Sequence, residues 1–224
     1  MNHPRVVSIH VGKVAPLGLD GVQSGFVKHA TSGPVHVTSL GILGDEQADL
    51  KVHGGLDKAV YGYGLSHYIA WRQEYPQHDN LLVPGGLGEN LAIEHLTEVD
   101  LCVGDVHAIG TARLQVCQPR QPCFKFALRF DDKNLPKAMI RNGRSGWYYR
   151  VLAPGAISPG DRVVLLERPN PNFPFARLVE LTTLGKATRA ELEQMRDMPG
   201  LALNWQRRAE EMLARQPQQQ GNDG

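Results

Sequence analysis

Short apolar or alternating stretches, each cut off by glycine or proline, run along residues 5–161, and this pattern constrains the fold more than any other feature. A chain punctuated that often builds strands of a few residues rather than long helices. Val6-Val7-Ser8-Ile9-His10-Val11 opens the series. Val35-His36-Val37, Gly41-Ile42-Leu43, Ala59-Val60-Tyr61 and Asn90-Leu91-Ala92-Ile93 continue it. Residues 103–109 and 112–116 flank Gly110 as in a tight hairpin. Residues 147–152 and 162–167 are joined by Ala153-Pro154-Gly155 and Ser158-Pro159-Gly160-Asp161. The spacing predicts a mainly β fold with inserted helices, arranged as a closed or nearly closed β-barrel.

Two helices interrupt the strands. Ser66 is placed to cap residues 67–75, which stop at Pro76, and a second helix over residues 135–141 stops at Gly143. The composition then changes at Arg168-Pro169-Asn170-Pro171-Asn172-Phe173-Pro174. The expected division is a β domain over residues 1–168, a linker over 169–175, a small three-helix domain over 176–215 and a disordered polar tail over 216–224. In the helical part, Thr188 and Glu191 have capping-box spacing, and Trp205, Ala209, Met212 and Leu213 share one helical face.

The totals exclude several classes. The net charge of +1, without a run of five like charges, gives no global attraction to nucleic acid or to acidic membranes. The start of the chain lacks the apolar core of a secretory signal, and no apolar run is long enough to span a bilayer, so a cytoplasmic location is expected. Three cysteines, none in Cys-x-x-Cys spacing, argue against a disulfide scaffold, a structural zinc site or an iron–sulfur cluster. Cys102 and Cys117 lie on apparent strands and read as core. No Gly-x-Gly-x-x-Gly fingerprint follows a strand, so no nicotinamide site is indicated.

One segment carries more chemistry than the rest: Gln118-Pro119-Arg120-Gln121-Pro122-Cys123-Phe124-Lys125. It sets a thiol between a guanidinium and an ammonium. A thiol acts as nucleophile or metal ligand only as thiolate, and neighbouring positive charge favours that form. Pro122 suits the first position of a helix, which would put Cys123 on its first turn with Phe124, Ala127 and Leu128 on the inner face. A buried cysteine beside a proline turn is the plainer alternative. Upstream, His53-Gly54-Gly55-Leu56-Asp57-Lys58 offers two glycines whose amides can approach a ligand, with three polar side chains close by; a solvated turn is the alternative. Gly88-Glu89-Asn90 is less specific, and Asp45 and Asp49 read as turn residues.

Taken together and in this order, the segments 41–45, 53–60, 88–90, 103–105, 118–125 and 146–147 resemble the MOSC proteins, named for the C-terminal domain of molybdenum cofactor sulfurase, and most of all the YiiM-like bacterial branch. The helical part is similar to the small three-helix domain that follows MOSC in that branch. The resemblance implies a β-barrel holding a molybdenum cofactor of the molybdopterin type, with Cys123 as the protein ligand to molybdenum. It implies reduction of N-hydroxylated compounds such as 6-hydroxylaminopurine. In that setting Arg120 and Lys125 would keep Cys123 ionised or bind phosphate, and Lys58 would be a second phosphate partner. His53 would donate a proton to the leaving hydroxyl, Asp57 would orient His53 or a pterin N–H, and Asn90 would bond pterin or substrate. Gly54 and Gly55 would bring backbone amides to the cofactor. The implied partners are an N-hydroxylated substrate and an external electron donor such as a flavoprotein reductase, with no nucleic acid or membrane, and a homodimer is a candidate assembly. The rival readings are a cofactor carrier, a persulfide-carrying sulfur transfer protein and a purely structural barrel. The desulfurase domain that accompanies MOSC in the sulfurases has no counterpart in these residues, which weighs against sulfur transfer.

Overall fold

The fold is described from a computed structural model, which covers residues 3–49, 54–185 and 187–215. Strands β1 (Arg5–Val11), β2 (Ala15–Leu17), β3 (Val22–Ser24), β4 (His29–Ala30), β5 (Val35–Thr38), β6 (Gly41–Ile42) and β7 (Val60–Gly64) come first. Helix α1 (His67–Glu74), strands β8 (Leu91–Glu94), β9 (Val106–Ile109) and β10 (Ala112–Pro119), and helices α2 (Phe124–Phe130) and α3 (Asn134–Asn142) follow. Strands β11 (Trp147–Ala153), β12 (Gly155–Ile157) and β13 (Val163–Glu167) lead to α4 (Phe175–Leu184), α5 (Arg189–Asp197) and α6 (Leu203–Arg215).

Eight strands form one sheet in the order β13-β9-β10-β11-β7-β8-β1-β4, and β12, β5 and β6 form a second, smaller sheet. The large sheet curls until β13 meets the start of β1, the strand next to its other edge. Arg5 bridges Arg162, the Val6 amide donates to the Asp161 carbonyl at 2.9 Å, and the Val163 amide donates to the Pro4 carbonyl at 2.9 Å. The barrel is therefore joined along a short seam and not by a continuous strand ladder. The mixed α+β architecture expected from the sequence is present, with three helices after the last strand.

The glycine turns behave as the sequence suggests. Gly110, at φ 56°, makes the β9–β10 turn, and Gly143, at φ 69°, ends α3. Ser66 precedes α1, but its side chain makes no capping bond. The capping box at α5 is complete: Thr188 Oγ1 accepts from the Glu191 amide at 3.2 Å, and Glu191 Oε2 accepts from the Thr188 amide at 2.8 Å.

The apolar residues form two bodies. One joins barrel residues such as Leu101, Val103, Val116 and Trp147 to Phe175, Leu178, Leu192, Trp205 and Leu213 of the terminal helices. The other packs α1, α2 and α3 on β7, around Tyr63, Trp71, Phe126 and Met139. Residues 169–175, expected as a linker, are packed. Asn170 Nδ2 donates to the carbonyls of Val103 at 2.7 Å and Pro199 at 2.8 Å, and Phe173 is buried. Asp105, fully buried, receives the Arg168 guanidinium in a fork at 2.9 and 2.7 Å. Among the described residues no helix is long and apolar enough to cross a membrane.

Two buried imidazoles give the fold an acid limit. Burial holds both His10 and His107 neutral, with pKa lowered to about 4. The unfolded chain takes up those protons near the ordinary value of about 6.5. Their stabilising contribution is thus complete above that pH and is lost as pH falls toward 4. At pH 5 each costs about 2 kcal/mol, opposed in part by the buried Glu89 carboxyl, whose pKa burial raises. Urea denaturation is expected to show a clearly lower midpoint at pH 5 than at pH 7.5. Equal midpoints would mean that these imidazoles are hydrated in the fold.

Candidate active site

Strand β10 runs through Gln118 and Pro119 and delivers the residues that follow it to a cleft beside the second apolar body, whose Tyr61 and Leu87 line it. Cys123 stands at the N-cap of α2 in extended conformation, φ −117° and ψ 170°, half-buried, and its carbonyl accepts from the Phe126 amide at 3.0 Å. The helix thus begins two residues later than expected, at Phe124 and not at Pro122. Pro122 lies outside it, Phe124 points outward with 61% exposure, and the buried face is Lys125, Phe126 and Phe130. The reason is the second body: Phe126 stacks on Phe26 with ring centres 6.2 Å apart and Phe130 packs edge to face on His78 at 5.6 Å, and these contacts fix the rotation of α2.

The cleft encloses roughly 650 Å³ including its open mouth, and Cys123, Arg120, Lys125, Lys58 and Lys28 all line it. Arg120 is 5% exposed. Its guanidinium carbon lies 5.2 Å from the Phe26 ring centre, 5.4 Å from Tyr61 and 5.2 Å from Phe126, and one nitrogen is 3.5 Å from Met139 Sδ. Among the described residues it makes no ion pair with a carboxylate. Burying a guanidinium without a counter-charge is costly, and an anion in the cleft removes that cost. Lys125 Nζ donates to the Gln23 carbonyl at 2.9 Å. Burial lowers the Lys58 pKa, and the thiols of Cys117 and Cys123 with Asp49 and Asp57 work against that shift. Phe26, Leu87, Tyr61 and Tyr148 supply flat apolar wall.

The other expected site residues are distributed differently. Asp57 faces a separate groove with Gly54, Gly55 and Arg150. Its carboxylate accepts from Arg150 Nε at 2.7 Å and from the Leu203 amide, at the start of α6, at 3.4 Å. Its role in this geometry is to tie the 54–58 loop to the terminal helices. Gly55 adopts φ 93°, which only glycine takes without strain, and it turns the chain into Lys58. Asn90 lines the cleft, but its amide is committed to the fold. Nδ2 donates to the His10 carbonyl at 3.1 Å and to Asp45 Oδ2 at 2.9 Å, and Oδ1 accepts from the Tyr61 amide at 3.0 Å. His53 lies outside the described residues. Cys117 and Cys102 are buried, as expected.

The structure adds Lys28, which no sequence motif marks, and gives Asp45, expected as a turn residue, a place on the cleft wall. Lys28 and Asp45 form an ion pair on the cleft wall, their side chains 7% and 3% exposed. Asp45 is also held by the Gly12 amide at 2.7 Å. The segment carrying Ser24, Gly25, Phe26 and Lys28 forms one side of the cleft. A Cβ at Gly25 would lie 1.9 Å from the Glu46 carbonyl oxygen, so the two segments touch only because residue 25 is glycine. In the sequence, Ser-Gly-Phe-Val-Lys is indistinguishable from an ordinary turn.

A barrel with a thiol at the mouth of a cation-lined cleft, backed by two helical groups, defines the class. The MOSC domain model matches residues 49–164, and the chain belongs to the MOSC family. Protein YiiM of Escherichia coli is 39% identical over 168 residues, covering 75% of this chain and 74% of that protein. A protein named Reductase from Gibberella moniliformis is 36% identical over 200 residues, covering 85% of this chain but only 36% of that longer protein. The crystal structure of YiiM from Geobacillus stearothermophilus superposes with a TM-score of 0.79 at 33% identity, covering 94% of this chain and 99% of that one.

Proposed function

We propose that this MOSC protein is a reductase of N-hydroxylated compounds, with hydroxylaminopurine-type bases as the substrate class, and that it works with a molybdenum cofactor held in the Cys123 cleft. The observation that carries this reading is the donor set: one half-exposed thiol beside a buried guanidinium that lacks a carboxylate partner among the described residues, with three lysines around the same cleft. A thiolate is a soft donor suited to molybdenum, and the cations suit an anionic, phosphate-bearing group. When bound, such a cofactor supplies two-electron chemistry at its metal. The chain's own residues do the rest. Cys123 Sγ ligates, Arg120, Lys125 and Lys58 hold negative charge, and Phe26, Leu87 and Tyr148 shape a flat slot that fits a planar base. Asn90 acts through Asp45, and Asp57 acts through the position of the 54–58 loop.

The electrons come from outside the chain. The sequence has no dinucleotide fingerprint, and about two thirds of the fungal relative named Reductase lies beyond its match to this chain. A separate flavoprotein reductase, docking transiently, fills that role in this reading. The deciding experiment purifies the protein from a host that makes the cofactor. It measures molybdenum and pterin content, then turnover of 6-hydroxylaminopurine with a flavoprotein reductase or dithionite. About one molybdenum per chain without turnover would favour a carrier, and neither metal nor turnover would leave a structural protein.

Arg120 supplies a sharper test. Lysine keeps the charge but loses the planar fork and the stacking on three rings. Arg120→Lys is expected to lower retained cofactor about tenfold, because each 1.4 kcal/mol of lost interaction is a factor of ten. Unchanged cofactor content in that variant would reduce Arg120 to general electrostatics.

A further inference from the structure

We propose that Lys28 is the proton donor of the cleft, delivering a proton to the oxygen that departs when an N–O bond is reduced. This rests on the reductase reading above. The reaction takes R–NH–OH, two electrons from an external flavoprotein or dithionite, and two protons to R–NH₂ and water. The N–O bond breaks, nitrogen gains one proton, and the leaving hydroxyl takes the other from Lys28 Nζ.

The geometry supplies three requirements for such a donor. First, Lys28 lines the same cleft as Cys123, and its side chain is almost wholly shielded from bulk water. Second, its partner tolerates the loss of the proton. Asp45 keeps the Gly12 amide at 2.7 Å and Asn90 Nδ2 at 2.9 Å when Lys28 becomes neutral, so no carboxylate is left without donors. Third, there are titratable groups behind it. His10 Nδ1 and Glu89 Oε2 are buried and have no hydrogen-bond partner among the described residues. Both groups meet at Gly85. Its amide donates to Glu89 Oε1 at 2.7 Å, and a Cβ there would lie 2.7 Å from the His10 ring.

The charges facing Lys28 are therefore Asp45 and Glu89, with His10 behind and Arg120 and Lys125 along the cleft. Burial lowers the Lys28 pKa, and Asp45 and Glu89 act against that shift. A donor poised below the ordinary lysine value gives up its proton more readily near neutrality. Burial raises the Glu89 pKa, so its carboxyl holds a proton more readily than an ordinary carboxylate, and it meets His10 at Gly85.

The test uses cofactor-loaded Lys28→Met/Asp45→Asn, in which no carboxylate is left unpaired, alongside Lys28→Ala. The double variant is expected to retain its molybdenum while kcat falls by about 100-fold or more at unchanged KM. Small primary amines are expected to restore part of the Lys28→Ala rate. An independent readout uses cofactor-free protein with ¹³C-labelled lysine, where the Lys28 signal is expected to titrate below ordinary lysines and to shift in Glu89→Gln. Wild-type kcat in the double variant would overturn the assignment. So would an ordinary titration, or a loss of molybdenum in step with activity. If wild-type protein loaded with molybdenum does not turn over N-hydroxylated bases, the reductase reading itself fails, whereas an active wild type with an unaffected variant removes Lys28 alone.

Discussion

Cys123→Ser is expected to abolish bound molybdenum and reductase turnover together, while Cys117→Ser and Cys102→Ser keep both. The three thiols occupy different environments. Cys117 Sγ is buried 3.1 Å from the Asp57 carbonyl and 3.4 Å from the Tyr148 carbonyl, and burial pushes its pKa far up. Such a thiol stays protonated. Cys102 is 6% exposed, with Sγ 3.8 Å from the Pro171 carbonyl, and lies at the junction with the terminal helices. Only Cys123 stands in the cation-lined cleft. Serine is nearly the same size but is a hard, weakly acidic donor, so the change removes ligation with little effect on packing. Loss of an outer-shell partner commonly costs about 10–100-fold, and loss of the ligand itself is expected to exceed that. Elemental analysis and turnover of 6-hydroxylaminopurine on the three variants check it. A Cys123→Ser protein with wild-type metal and rate would sink the site assignment.

The same comparison shows what the sequence could and could not convey. The element ends were legible because glycine marks them: Gly110, in the β9–β10 turn, and Gly143, after α3, occupy the left-handed conformations that their positions suggest. Cys123 and Arg120 were legible because they stand close together in an unusual context. The rest of the cleft was not. Lys28 and Asp45 are 17 residues apart, and Lys28 looks like any surface lysine until the 45–48 segment brings Asp45 against it. Asp57 shares a motif with Gly54, Gly55 and Lys58, yet Arg150 and the start of α6 draw its carboxylate into a different groove. Local pattern reports which residues can do chemistry. Only the tertiary fold determines which way each side chain faces.

A chain ended at Arg168 is expected not to fold cooperatively, although the composition break there suggests a separable helical module. The packing argues for one interdependent unit. Leu101, Val103, Val116 and Cys117 of the barrel share a continuous apolar body with Phe175, Leu178, Leu192, Met195 and Trp205. Backbone bonds cross the junction as well. The Phe175 amide donates to the Leu101 carbonyl at 2.9 Å, and the Ala202 amide donates to the Cys117 carbonyl at 3.0 Å. Re-exposing several large apolar side chains costs about 1.5–3 kcal/mol each. The net stability of a domain is about 5–15 kcal/mol, so four or five such losses consume most of it. The truncation would also strip the Leu203 amide from Asp57 and loosen the loop that carries Lys58. Circular dichroism and calorimetry of the 1–168 chain are expected to show no sharp melt. Because a truncated chain can fail for unrelated reasons, Phe175→Ala in the full chain provides the quantitative companion. Phe175 is fully buried, and its loss is expected to cost about 3–5 kcal/mol with one transition retained. A 1–168 chain that melts cooperatively, or a Phe175→Ala loss below about 1 kcal/mol, would show instead that the barrel is self-sufficient and the helices an attachment.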